Sequence, residues 1–225
     1  KGSFNTIGPS FASASASPLS HYKFYVGEGG MRVPLIIAGE PVRQPGELNR
    51  AFAWATDITP TILALSGTAL PGDRYAGRPV LPLIGRDLTP LLRGEVERVY
   101  GEDDAVGYEL TGHGALFQGD YKVVVNQAPL GDGQWRLFNI VEDPGETVDL
   151  AATQPALFQR MLSRYQQYQE ENGVLPLPVG YTQMRQLFIN TLHKKSGEQI
   201  LIFLLALVLL LPFYVAYRIK KDVLR

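Results

Sequence analysis

Residues 200–217, ILIFLLALVLLLPFYVAY, run for eighteen positions without a charge and with apolar side chains on every face. Such a run leaves no polar side for water, so the soluble alternative is a helix buried in a core. As a helix it is about 27 Å long at ~1.5 Å per residue, close to the ~30 Å hydrocarbon core of a bilayer. Extending it to 199–218 by snorkelling closes the difference. Tyr214 and Tyr217 stand near one end, where an interfacial aromatic belt belongs, and Pro212 is tolerated in a membrane helix. The pattern predicts one transmembrane helix. Arg218, Lys220, Lys221 and Arg225 follow the run, against Lys194 and Lys195, with His193, before it. That excess places the C-terminus in the cytoplasm and the preceding domain in the periplasm or outside the cell.

Upstream the periods are shorter. Residues 1–20, rich in Gly, Ser, Ala and Pro, read as an irregular loop. MRVPLIIAG at 31–39 is a short apolar run bounded by Gly, as expected of a buried strand. DITPTILAL at 57–65 predicts a helix, with Asp57 as N-cap, Pro60 in the first turn, apolar residues at 58, 62 and 65 on one face, and Gly67 as a stop. The Pro- and Gly-punctuated stretch 69–90 predicts loops and turns. Residues 99–102, 108–117, 121–126 and 135–140 then read as four strands. Gly119-Asp120 makes one tight link and Gly131-Asp132-Gly133 another, so the pairing is expected to be antiparallel. Residues 155–172 predict a helix with Leu157, Met161, Leu162, Tyr165 and Tyr168 on its apolar side and Gly173 as its stop. VLPLPVG at 174–180 is a linker, and 181–198 a polar, partly amphipathic approach to the membrane.

Composition narrows the class. Hydrophobic residues make up 45% and charged residues 19% of the 225, which is a folded rather than a disordered chain. With 21 basic and 22 acidic residues the net charge is −1, so no global field favours nucleic acid, and none is expected as a partner. There are no cysteines, which excludes a disulfide framework, a thiolate zinc site and a Cys nucleophile. The first residue is Lys1 and no charged n-region with an apolar h-region follows it, so the chain is expected to begin inside a longer protein.

HYKFYVGEGGMRVPLIIAG at 21–39 resembles the sulfatase segment in which a lysine precedes an E-G-G-[IVM]-R-x-P run by five residues; Lys23 and Glu28-Gly29-Gly30 have that spacing. ATDITPTILALSG at 55–67 resembles the family's D-[IV]-x-P-T-[IL]-L-x-L-x-G helix. GYELTGHGALFQGDYKVV at 107–124 resembles its hairpin ending G-D-[WY]-K, and WRLFNIVEDPGETVDLAATQP at 135–155 its W-x-L-[FY]-[DN]-[IL]-x-x-D-P-x-E-x-x-[DN]-L run. The four stand in the family's order and the bacterial arylsulfatases are the most similar subgroup. The resemblance implies an α/β class, the C-terminal portion of an alkaline-phosphatase-like sulfatase fold. Residues 1–97 would end the catalytic domain, and 98–173 would form a small four-stranded antiparallel sheet plus helix. Residues 174–198 would be linker and juxtamembrane segment, 199–218 the transmembrane helix and 219–225 a basic tail.

The resemblance also implies chemistry. In that family the nucleophile is a formylglycine made from Cys or Ser in a C/S-x-P-x-R motif, and a calcium held by aspartates and an asparagine polarises the sulfate. In the family all those positions precede the segment that starts here, so the resemblance implies formylglycine and calcium upstream, with no metal ligand in this chain; Ser3, Ser10, Ser13, Ser15, Ser17 and Ser20 are not followed by x-P-x-R. Lys23 matches the family lysine that contacts the sulfate oxygens, and an ammonium with three donors suits an oxyanion. The alternative is an exposed loop lysine without a task. His21 is a candidate for protonating a leaving group, against a surface or packing role. His113 departs from the family pattern and is a candidate substrate contact, or else fills the hairpin face. Gly29 and Gly30 are read as permitting a positive-φ turn, Glu102, Asp103, Asp104 and Glu109 as a solvated acidic face rather than a metal site, and Asp143 and Glu146 as capping and turning the chain.

The expected function is sulfate-ester hydrolysis on a small-molecule substrate by a membrane-anchored enzyme. A phosphate or phosphonate monoester hydrolase or transferase of the same superfamily is the alternative. A non-catalytic membrane-tethered binding module is the reading from a different class.

Overall fold

The computed structural model describes residues 7–195 and 197–223. The first six positions of the N-terminal stretch and Arg225 of the basic tail lie outside them. The chain divides into two compact units, Lys1–Val174 and Leu175–Arg225.

In the first unit, α1 (Gly8–Ala16) replaces the loop expected there. Pro9 in its first turn fixes φ in the helical range, and the small side chains that resemble a loop composition do not oppose a helix. After it come α2 (Glu28–Met31), a 3-10 turn (Ala55–Asp57) and α3 (Ile58–Leu65). Helix α3 agrees with the sequence pattern, but its buried residues are Pro60 and Thr61, while Ile58, Ile62 and Leu65 are exposed. The strand expected at 31–39 does not form. Met31 ends α2, residues 32–38 carry no regular structure, and Val33 and Ile36 are 77% and 89% exposed. A strand needs a neighbour for its backbone groups, and among the described residues this one has no ladder partner. The 69–90 stretch is mostly loop but holds a two-residue ladder, β1 (Arg74–Tyr75) with β2 (Arg78–Pro79), and runs into α4 (Thr89–Leu92).

Four strands follow as an antiparallel meander: β3 (Ala105–Leu110), β4 (His113–Gln118), β5 (Tyr121–Val125) and β6 (Trp135–Asn139). Their number agrees with the sequence reading, but two differ in place. Residues 99–102 are not a strand, and the run 108–117 is divided by a hairpin in which Leu110 pairs with His113. The two linking residues, Thr111 and Gly112, have φ of 53° and 85°. Both values fit a primed two-residue turn, whose twist matches that of the strands.

Both faces of the meander are covered. Leu116, Val123 and Leu137 pack with Met161 and Tyr165 of α5 (Pro155–Asn172), joined by Leu157, Phe158 and Tyr168. Gly107 and Gly114 admit this helix closely, since a Cβ at either would overlap the Tyr168 or Tyr165 ring. Ala115, Phe117, Val124 and Phe138 alternate with those residues and face Val26, Phe52 and Trp54 instead. Helix α5 ends at Gly173 in the left-handed conformation (φ 62°), as its sequence predicts.

The second unit holds the irregular linker, α6 (Gln183–Lys195) and α7 (Gly197–Val223). Within α7, Gln199–Lys221 is the one stretch among the described residues long and apolar enough to cross a membrane, with mean hydropathy 2.7 and no burial.

Met161 is fully buried beneath the sheet and Val141 is exposed. Met161→Ala should therefore lower the unfolding free energy by about 2–5 kcal/mol, and Val141→Ala by less than about 0.5 kcal/mol. Denaturant unfolding of the two variants checks this, and equal losses would contradict the packing described.

Candidate active site

Residues 20–30 fold back on themselves, and three glycines make this possible. A Cβ on Gly29 would overlap the Ser20 and His21 carbonyls, one on Gly30 the Tyr25 carbonyl, and one on Gly27 the His21 ring and the Ser20 hydroxyl. Gly29 donates to the Ser20 carbonyl at 2.7 Å and Gly30 to the Gly27 carbonyl at 2.9 Å. The expected positive-φ turn at Gly29 and Gly30 is not present; both lie in α2 with ordinary φ, and close approach is what requires glycine. Positive φ falls instead on His21 (64°) and Phe24 (87°), non-glycine residues for which it costs on the order of 1–3 kcal/mol each.

Lys23 sits between these two strained residues, exposed, with its ammonium 5.6 Å from the centroid of the Phe24 ring. His21 is half-buried. Its Nδ1 is buried and has no hydrogen-bond partner among the described residues. Burial lowers its pKa from the ordinary 6.5, only partly opposed by Glu146, so the neutral ring is favoured at neutral pH. The ring lies 5.5 Å from that of Tyr25, which meets His113 edge-on at 5.1 Å. His113 is fully buried, and its Nδ1 accepts from the Gln127 backbone N–H at 3.0 Å. The fold thus gathers Lys23 and His21 on one loop and sets His113 beneath it, on the sheet face.

Under the loop lies an ion cluster joining three of the sequence segments singled out above. Lys122 of β5 is 0% exposed. Its ammonium donates to Glu28 Oε1 at 3.0 Å and Glu146 Oε1 at 2.8 Å and stands 5.0 Å from the centroid of the Phe117 ring. Glu28 Oε2 pairs with Arg32 at 2.7 Å, and Arg32 also donates to the Ile140 carbonyl at 3.3 Å. Glu146 Oε2 accepts from the Ser20 hydroxyl and, at 3.0 Å, from the Glu28 backbone N–H. Two carboxylates meet two cations, as buried charge requires. Glu146 closes the turn its sequence context suggests, its N–H donating to the Asp143 carbonyl at 3.0 Å with φ 53°, and its side chain also enters this cluster. Asp143 fixes the same turn by accepting from the Thr147 and Val148 N–H groups, which leaves the Glu146 side chain facing the interior. Lys122 was visible in the sequence only as a charge in an otherwise apolar alternation, YKVVV.

Asp57 forms a second polar hub. It is fully buried, and its carboxylate accepts from the backbone of Trp54 (2.6 Å) and Arg86 (2.8 Å) and from the Tyr100 hydroxyl (2.6 Å), rather than capping α3 as expected. Arg86 in turn holds Asp104 through two 2.6 Å bonds, and this hydrogen bonding keeps the Asp104 carboxyl below its ordinary range. Glu109 accepts from Gly112 N–H. Among the described residues no group of three or more His, Asp or Glu side chains is placed to hold a metal ion.

This mixed α/β arrangement recurs in solved proteins. The crystal structure of Ps i-CgsB in complex with k-i-k-neocarrahexaose matches 82% of the chain with a TM-score of 0.57 at 22% identity, using 38% of that protein. An uncharacterized sulfatase of Schizosaccharomyces pombe is 31% identical over 177 residues, which is 78% of this chain and 32% of the relative. The arylsulfatase of Klebsiella aerogenes is 32% identical over 92 residues, 40% of this chain and 20% of the relative. No family model matches. The chain belongs to the sulfatase family and spans about a third of the length of the Schizosaccharomyces relative.

Lys122→Met would leave Glu28 and Glu146 buried without their shared cation. Denaturant unfolding should show a loss of about 3–5 kcal/mol; a change below about 1 kcal/mol would mean that the cluster is not closed as described.

Proposed function

We propose that this chain is the C-terminal part of a membrane-anchored sulfuric ester hydrolase of arylsulfatase type, in which Lys23 contacts the sulfate. Sulfatase kinship supports the reaction class, and the observation that carries the site is the loop itself. A lysine is exposed between two strained residues, on a segment locked by close backbone contacts and a buried ion cluster. Strain of this kind persists where the surroundings over-determine a conformation, and it gathers at active sites.

The Lys23 ammonium offers three donors to sulfate oxygens and favours the transition state as negative charge grows on the departing ester oxygen. His21, two residues away, is our candidate for protonating that oxygen, a role that only its imidazolium form can fill and that burial, by lowering its pKa, confines to acidic pH. His113, buried under Tyr25, supports the loop from the sheet side. Formylglycine and calcium, where present, supply the attacking oxygen and the polarisation of the sulfate. The described residues do not fit a calcium site, and we derive no step through either group. The substrate is a small sulfate ester; the neocarrahexaose bound to Ps i-CgsB supports a carbohydrate ester as one class.

In the complete enzyme, Lys23→Ala should lower kcat/KM for p-nitrophenyl sulfate by roughly 10²–10³-fold. Lys23→Arg should rescue poorly, because a planar fork does not replace a compact ammonium, and His21→Ala should cost less than Lys23→Ala. Wild-type kcat/KM in a folded Lys23→Ala variant would refute the assignment. Faster turnover of p-nitrophenyl phosphate than of the sulfate by the wild type would favour the phosphoester alternative.

We further propose that residues 199–218 cross the membrane, with the basic residues that follow in the cytoplasm and the catalytic part on the opposite side, supported by the length and hydropathy of this helix and by its flanking charge. The enzyme should stay with membranes in alkaline carbonate, and a version ending at Gly180 should be soluble. Quantitative release of the uncut enzyme by carbonate would overturn the anchor.

A further inference from the structure

The 20–28 loop is clipped at both ends by one carboxylate oxygen. Glu146 Oε2 accepts from the Ser20 hydroxyl at the start of the loop and from the Glu28 N–H at its end. The other oxygen of Glu146 is held by Lys122, which the same ammonium ties to the Glu28 side chain. The carboxylate thus has one oxygen on the sheet and one on the loop. Three of the five described non-glycine residues with positive φ belong to this assembly: His21, Phe24 and Glu146 itself. Loop and clamp are both strained, and each persists because the other fixes it.

A buried ion pair is a poor source of net stability, since apolar residues of similar shape often do as well. What it supplies here is geometry, because Lys23 lies between the two clipped points. Rate is sensitive to such placement: an error of about 1 Å in a catalytic group can lower it by about 10²-fold.

From this arrangement we propose that Glu146, fixed by Lys122, is a positioning residue for Lys23. It sets the position of the ammonium by bridging the ends of the loop. The proposal rests on the assignment of Lys23 made above.

The test is a double-mutant cycle in the complete enzyme with p-nitrophenyl sulfate: wild type, Glu146→Gln, Lys23→Ala and the double variant. Glu146→Gln keeps shape but weakens both grips, and should lower kcat by about 10–100-fold with KM changed by less than about threefold. In the Lys23→Ala background the same substitution should cost less than about twofold, because nothing remains to be positioned. Losses that multiply independently would overturn the proposal and leave Glu146 a residue of general stability. Wild-type activity in Lys23→Ala would instead sink the assignment of Lys23, and the positioning role with it. If Glu146→Gln does not fold, Ser20→Ala replaces it, since it removes one loop contact and leaves the Lys122 pair intact. Its smaller loss, about 3–10-fold, should likewise vanish in the Lys23→Ala background, and persistence of that loss would overturn the proposal.

Discussion

An ammonium removed from water must be met by carboxylates and further hydrogen bonds, or the fold that buries it is strongly disfavoured. Lys122 is in that position, in a central strand and fully buried, on the sheet face away from α5. Glu28 comes to it from α2, and Glu146 from the turn after β6. Neither belongs to the sheet. Satisfying Lys122 therefore obliges two loops to close over one face of the meander, and the position of Lys23 follows from that closure.

The two sheet faces accordingly do different work. Against α5 the contacts are apolar and the helix is regular, which makes this face the stable backing of the unit. On the other face, aromatic and aliphatic packing around Phe117 and Phe138 borders the ion cluster, and the covering layer is mostly irregular backbone. Irregular segments can take conformations that helices and strands do not permit, and binding residues are often carried on loops fixed by a rigid scaffold.

A similar solution organises residues 54–104. They hold little regular structure, yet the buried Asp57 carboxylate collects two backbone donors and a phenol, while Arg86 bridges the Val99 carbonyl and Asp104. Polar hubs of this kind hold chain that no ladder holds, provided every buried group is satisfied. The exposed apolar residues at 58, 62 and 65 lie in this part of the unit.

The sequence by itself determined what depends on neighbours along the chain. The period of residues 155–172 and Gly173 fixed α5 at both ends, the Gly119-Asp120 link fixed the β4–β5 hairpin, and the uncharged run after Gln199 fixed a long apolar helix. The ordered motifs fixed the family. Only the tertiary structure decided what depends on residues far apart. The apolar run at 31–39 had the composition of a strand but has no ladder partner among the described residues, and the 108–117 run became two strands joined at Thr111 and Gly112, both with positive φ. Glu28 and Lys122 are 94 positions apart, so no local pattern distinguishes their bond from two unrelated surface charges. Periodicity reports which side of an element is apolar. It carries no information on which buried charge meets which, because that pairing is set by the closing of loops in three dimensions.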